Sequence, residues 1–285
     1  MESNRSIQQP PSDEGDSASG NQSRSRALLD QQVSVSLLSG DSRQGRALID
    51  TDFYLYKAAA ASTFTFKWDD NNRVGMTNIA MARDKFQTFI DWVEDTLETL
   101  TPVLCLGGSS NFRYGLYPNY KANRREKVKP WGYGELVQWA MESFLCVQIE
   151  DVETDDVIGM HYRTGDVIIS GDKDLKTIPG LHLEGEGLID ISEDEADHRF
   201  YMQALTGDAT DGYPGCKGVG PVKAEALLKD CETNEDRWEA VANQYLKAGH
   251  DITYALTQAR LARILRRGEY DDEPKLWMPP IKVVS

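Results

Sequence analysis

Apolar positions along the chain gather into short blocks separated by polar stretches. ALID (47–50) is a compact apolar run ending in an acid, which predicts a buried strand. Residues 80–100 carry Met81, Phe86, Phe89, Ile90, Val93 and Leu97 at helical spacing. PVLCLGG (102–108) predicts a second buried strand, closed by glycines. Residues 111–131 are basic, aromatic and without a period. Residues 132–146 predict a helix whose apolar positions are Leu136, Trp139, Ala140, Phe144 and Leu145. VQIED follows as a strand or strand end, 153–163 as a helix and DVIIS (166–170) as a strand, and LHLEG and GLIDIS add two more strands. From 193 to about 268 the pattern is helical. Residues 1–44 are rich in Ser, Gln, Arg, Gly and Asp and read as a disordered tail, with VSVSLL (33–38) an isolated candidate strand.

Strands alternating with helices predict an α/β fold, with a central, mostly parallel sheet flanked by helices. The expected organisation is a tail (1–44), an α/β core (45–192) containing a basic segment at about 109–131, and a C-terminal helical region (193–285). Ligands of such sheets gather at the carboxyl ends of the strands. Asp50 lies at one strand end, and Asp172 and Asp174 lie just past another.

Composition narrows the class. The chain is 40% hydrophobic and 27% charged, and no apolar run reaches bilayer length. MESNRSIQQPPSDEGDS lacks a signal peptide's apolar middle, so a cytoplasmic protein is expected. Cys105, Cys146, Cys216 and Cys231 form no CxxC pair and read as thiols in a reducing compartment, not as a zinc site. The net charge of −15 argues against a simple nucleic-acid binder. Its distribution matters more. Acids crowd 150–174 and 190–211, whereas bases crowd 113–129.

Glu153 and Asp156, three apart at a helix start, share a face, and Asp155 projects beside them. Acids at a helix N-terminus are also explained by the helix dipole alone. Asp172 and Asp174 directly follow a strand, and Asp208 and Asp211 form a further pair at spacing three; both pairs also suit ordinary turns. Together with Asp50, these acids would repel one another unless cations neutralise them. Hard oxygen ligands suit magnesium or manganese, and a two-metal site can activate water and stabilise the leaving oxygen of a phosphodiester.

Arg113, Lys121, Arg124, Arg125, Lys127 and Lys129 are interleaved with Phe112, Tyr114, Tyr117 and Tyr120. Such a segment can hold phosphates and stack bases, where a plain solvated loop would carry fewer aromatics. Gly218-Val219-Gly220-Pro221, followed by Lys223, is a tight glycine turn opening a helix, which can hold a phosphate through backbone N–H groups.

ALIDTD, NFRYGLYPNYKANR, VETDD, ISGDKDL and LTGDATDGYPGCKGVGP resemble the 5′-nuclease superfamily of flap endonucleases and phage 5′→3′ exonucleases, most of all the exonucleases of short-tailed phages. The stretches come in the family's order over about 46–230. The resemblance implies a PIN-like core with an arch and a helix–hairpin–helix element. It implies two Mg2+ ions, for which Mn2+ substitutes. Asp50, Glu153, Asp155, Asp156, Asp172, Asp174, Asp208 and Asp211 fall on the family's metal carboxylates. Lys121 and Arg124 fall on its catalytic phosphate contacts. Gly218, Val219 and Gly220 fall on the duplex-gripping hairpin, where some members bind K+. Arg113, Tyr117, Arg125 and Lys223 join these as expected DNA contacts.

The implied substrates are DNA ends, nicks, gaps and 5′ flaps, with RNA–DNA hybrids as a further class. The implied setting is a monomer in the phage-infected host cytoplasm. The family often carries another acid near LCLGGSSNFR, where this chain has Gly107, Gly108, Ser109 and Ser110. Two rival readings remain. One is a haloacid-dehalogenase-type phosphatase built on Asp50-Thr51-Asp52, which leaves YKANR and the glycine turn unexplained. The other is a non-catalytic DNA-binding protein on a nuclease scaffold.

Overall fold

The computed structural model describes residues 45–67, 73–124 and 128–280. The expected tail with its VSVSLL strand, as well as Arg125 and Lys127, lies outside the described residues. In chain order, β1 (Arg46–Asp50) and α1 (Thr51–Ala60) lead into an antiparallel ribbon of β2 (Thr63–Lys67) and β3 (Arg73–Thr77). Then come α2 (Ile79–Thr96), β4 (Thr101–Gly107), the short α3 (Arg113–Leu116), α4 (Tyr133–Ser143) and β5 (Cys146–Ile149). Next are α5 (Thr154–His161), β6 (Val167–Ile169), β7 (Gly180–Glu184) and β8 (Gly187–Ile191). Helices α6 (Glu193–Thr206), α7 (Pro221–Leu228), α8 (Asn234–Lys247) and α9 (Ile252–Ala262) follow. No helix among the described residues is long and apolar enough to cross a membrane.

The six-stranded sheet has the order β5-β4-β1-β6-β7-β8, parallel except for the β7–β8 pair. β1, the run RALID, is buried along its whole length, because helices cover both faces of a parallel strand. From β1 the chain moves out to β4 and β5 on one side, then returns to β6 on the other. The carboxyl ends of β1 and β6 therefore flank a topological switch point, where α/β sheets open a crevice. Asp50 ends β1, and Ser170 follows β6 directly.

Two apolar cores hold this frame. Ile49, Leu55, Phe86, Ile90, Leu104 and Leu136 pack between the sheet and α1, α2 and α4. Phe200, Tyr213, Val219, Val241 and Tyr245 build the second, under the helical region. Tyr120, from the basic segment, belongs to this second core and anchors that segment to α6–α9.

Two elements depart from the sequence expectation. α1 and the β2–β3 ribbon were not legible as periodic segments. α1 buries Leu55, Ala58 and Ala59, and alanines give little hydropathy contrast. The ribbon exposes Phe64, Phe66, Val74 and Met76, so no apolar/polar alternation marks a buried face. The last helix also ends at Ala262, short of 268. Beyond it the chain is extended, and Arg263 O accepts from Arg113 while Leu265 N donates to Asp156 (2.9 Å).

Candidate active site

Asp50 caps α1, accepting from Phe53 N (3.1 Å) on Oδ1, while Ser170 Oγ donates to Oδ2 (2.6 Å). The carboxyl is 4% exposed. Burial pushes its pKa up to about 6; the two hydrogen bonds hold it back, and the charges of Asp52 and Asp172 add to the rise. Asp172 caps a 3-10 turn at Lys173–Thr177, accepting from Asp174 N (3.0 Å). Asp174 is pushed up to about 6, by burial and then by Asp172 and Asp208. Gly171, just before Asp172, lies under the Phe53 ring, and a Cβ there would come within 2.3 Å of the ring tip.

The first turn of α5 supplies the next group. Glu153 is the N-cap, closing a capping box with Asp156. Asp155 receives no hydrogen bond from the described residues. Its carboxyl is driven well above the usual range by burial, then by the charges of Asp50 and Glu153. Glu153 goes the other way. Burial would raise it, but Lys121 and Arg113 beside it, with hydrogen bonds from Lys121 and Tyr120, bring it below its ordinary value. Lys121 Nζ contacts Glu153 Oε1, and Tyr120 OH donates to Oε2 (2.8 Å).

Asp156 departs from its expected role as a metal ligand. It is fully buried. Oδ1 accepts from Arg113 Nη2 (2.8 Å) and Leu265 N (2.9 Å), and Oδ2 from Arg113 Nη1 (2.6 Å) and Glu153 N (3.0 Å). A carboxylate has about four lone-pair sites, so Asp156 has none left for an ion. Arg113 likewise departs from its expected role as a DNA contact. It is 2% exposed, and beyond Asp156 its guanidinium donates to Leu261 O and Arg263 O. This pair ties α3, α5 and the chain after α9 into one frame.

The basic segment faces the crevice through its later residues. Lys121 has φ +50°, a left-handed conformation rarely adopted by a long side chain, and its N donates to Asp211 O (2.7 Å). Lys121 Nζ also lies 3.5 Å from Asp211 Oδ2, and Arg124 Nη2 donates to Asp211 Oδ1 (2.6 Å). Burial raises the Asp211 carboxyl, with Lys121 and Arg124 opposing. Asp208 orders its turn by accepting from Thr210 N and Asp211 N. Tyr117 is half-buried against the helical core.

The expected acids, apart from Asp156, lie close enough together at the ends of β1 and β6 for their charges to act on one another. Among the described residues no three of them converge into a closed ligand cage as placed. Several are instead tied to Lys121, Arg124, Ser170 or backbone donors.

At the glycine turn, Gly218 and Gly220 are exposed and precede α7, with Pro221 at its first turn and Lys223 exposed beyond. Val219 differs from expectation. Its side chain is buried in the helical core, and its N–H donates to Cys216 O (3.0 Å), so neither is offered to a phosphate.

Sequence reasoning passed over three side chains here. Tyr120 bridges Glu153 and Asp211 (3.1 Å to Oδ2), but its sequence signal was only an aromatic among bases. Thr154 and Tyr133 both donate to Asp52, a pairing of residues distant in sequence that no motif announces. The glycines at the end of β4 are closed to side chains. A Cβ on Gly107 would lie 2.7 Å from both Thr154 N and Val152 O, and one on Gly108 would lie 2.6 Å from Glu150 Cα.

No family model matches the chain. Individual relatives do. The chain is 30% identical over 299 residues to the exonuclease of Escherichia phage T7, covering 89% of this chain and 100% of that protein. It is 30% identical to the exodeoxyribonuclease of Enterobacteria phage T3, covering 89% of this chain and 99% of that one. In fold it is similar to the T5 5′-exonuclease solved with zinc bound, with a TM-score of 0.58 at 16% identity, over 77% of this chain and 89% of the other.

Proposed function

Because the chain belongs to the 5′-nuclease superfamily, the family of the phage exonucleases it matches along their whole length, we propose that its switch-point crevice is the active site of a two-metal 5′→3′ exodeoxyribonuclease. The observation that carries this reading is the contrast across the crevice. Asp50, Asp155 and Asp174 are raised by burial and by neighbouring acids, whereas Lys121 and Arg124 stand opposite. Acids gathered in a half-buried cleft, all oxygen donors, suit hard divalent ions.

Magnesium is the proposed ion, with manganese as a substitute. Asp50, Asp155, Asp172 and Asp174 would hold it from the sheet side, and Glu153, Asp208 and Asp211 from the arch side. When bound, two such ions supply an activated water and neutralise charge on the scissile phosphate. Lys121 and Arg124 would then exchange their carboxylate partners for phosphoryl oxygens and stabilise charge that grows there. The strained backbone of Lys121 supports a functional position for it. Gly218, Gly220 and Lys223 would grip the duplex backbone, with K+ at the turn as a further expectation. DNA ends, nicks, gaps and 5′ flaps are the proposed substrates, RNA–DNA hybrids a further one. A monomer working in the infected host's cytoplasm during phage DNA replication, recombination, primer removal or host DNA degradation completes the reading.

The test uses 5′- and 3′-labelled duplex, nicked and flapped DNA with magnesium. Loss of 5′ label as mononucleotides or short fragments is expected, and it should stop on chelation. Hydrolysis of a small phosphomonoester without DNA cleavage would instead support the phosphatase reading. A gel shift without cleavage would leave only DNA binding.

A further inference from the structure

Asp52 lies two residues past Asp50, exposed in the first turn of α1. Thr154 Oγ1 donates to its Oδ2 (2.7 Å), and Tyr133 OH donates to its Oδ1 (3.2 Å). Gly107 N in turn donates to Thr154 Oγ1 (2.9 Å). One hydrogen-bonded line thus joins the end of β4, the first residue of α5 and the first turn of α1. It passes through Thr154, which stands between Glu153 and Asp155.

At the same junction Val152, Thr154 and Glu150 close over Gly107 and Gly108 and leave no room for a side chain at either. Asp52 brings a carboxylate to that junction from the opposite element. Tyr133 is buried at the start of α4, so it holds the acid from a rigid base.

We propose that Asp52 is a positioning residue of the metal centre. It fixes the first turn of α5, and with it Asp155, through Thr154. The proposal rests on the two-metal reading above. Hydrogen bonds from outlying groups to the elements that carry metal ligands set ligand orientation, and losing them typically weakens metal affinity or activity about ten- to a hundredfold. An acid in a first helical turn also stabilises its helix by charge alone. That role would change the melting temperature of the protein and leave its metal affinity untouched.

The full chain, free of DNA, is titrated with Mn2+ by calorimetry, and kcat and KM are measured on 5′-labelled duplex. Asp52→Asn loses the charge and one of its two accepted bonds; Thr154→Val loses the relay. Each should weaken Mn2+ binding and lower kcat about ten- to a hundredfold, with KM for DNA within about twofold. Thr154→Ser keeps the hydroxyl and should match the wild-type protein. The double variant Asp52→Asn/Thr154→Val should be no worse than either single variant, because both cut one line. Unchanged Mn2+ affinity in either single variant, or losses that multiply in the double variant, would overturn the proposal. Wild-type protein that binds no Mn2+ would overturn the two-metal reading together with it. Wild-type binding with indifferent variants overturns this proposal alone.

Discussion

On the arch side of the crevice the acids other than Asp208, which accepts from the backbone N–H groups of Thr210 and Asp211, have cations. Glu153 has Lys121 and Arg113, Asp211 has Arg124 and Lys121, and Asp156 has Arg113. On the sheet side, Asp50 and Asp155 are surrounded mainly by other acids, and Asp174 has Asp172 and Asp208 against one flanking lysine. Burial acts in the same direction on both sides. On the arch side, neighbouring cations overturn it at Glu153. On the sheet side no cation overturns it, although hydrogen bonds from Ser170 and Phe53 moderate it at Asp50, and the acids are held in a state that a divalent ion would relieve. Neighbours on one helical turn, Asp155 and Asp156, show the distinction most sharply. Asp156 is saturated by Arg113 and two backbone amides, whereas Asp155 receives no hydrogen bond from the described residues.

The strongest test of this comparison removes a sheet-side acid. Asp155→Asn should lower magnesium-dependent cleavage by several orders of magnitude, the scale of a lost catalytic metal. The folded protein should tolerate the change, because a carboxylate repelled by its neighbours leaves. Near-normal cleavage at saturating magnesium would break the assignment. Next in size is Lys121→Ala on the arch side. Loss of one preorganised donor to the transition state costs about a hundred- to a thousandfold in kcat, and DNA affinity should fall far less. If affinity alone falls, Lys121 only positions the DNA.

Arg113→Ala tests the saturated pair. It strands the Asp156 charge in the interior, and breaking one side of a buried pair costs about 3–5 kcal/mol. Urea unfolding should show that loss, whereas DNA affinity per folded molecule should stay near wild type. A surface arginine that contacts DNA would give the reverse result.

How far the sequence foretold this comparison depends on the residue. Asp50 was legible because a short apolar run ending in an acid is a local signal, and so was the α/β order that puts it at a strand end. The fates of Asp155 and Asp156 were not. Both sit on the first turn of one helix, and only the arrival of Arg113 and Leu265 from distant segments separates them. Arg113 read as a DNA contact because it belongs to a run of bases interleaved with aromatics; its burial depends on carbonyls at Leu261 and Arg263 that no local pattern reveals. Val219 sits in a correctly located glycine turn, yet tertiary packing turns it inward.

Acidity gives a gentler test. A carboxyl whose folded pKa is raised binds its proton more tightly folded than unfolded. Its contribution to stability is present below the unfolded value, about 4, and is lost as pH rises through the folded value. For Asp50 and Asp174 that value is about 6. Chelated protein should therefore be less stable at pH 7.5 than at 5.5, by on the order of 1 kcal/mol for Asp50. Magnesium should restore stability most at the higher pH, and Asp50→Asn should flatten the slope. Glu153 works with the opposite sign. Its lowered pKa adds stability above its ordinary value, lost as pH falls through the lowered one. A chelated protein that gains stability steadily from pH 5.5 to 7.5 would show that the sheet-side acids are compensated after all.

The smallest effect is expected farthest from both halves. Lys223 is exposed in the first turn of α7, just past the glycine turn, and touches none of the crevice acids. If it meets a single backbone phosphate, Lys223→Ala should weaken binding of duplex DNA roughly two- to fivefold, equally for unrelated sequences, and reduce the slope of log affinity against log salt by about 1. Turnover at saturating DNA should not change, because the residue does not reach the reacting phosphate. Fluorescence anisotropy at several salt concentrations measures both quantities. An unaltered salt slope would remove Lys223 from the interface and leave the exposed backbone of Gly218 and Gly220 as the grip at that turn.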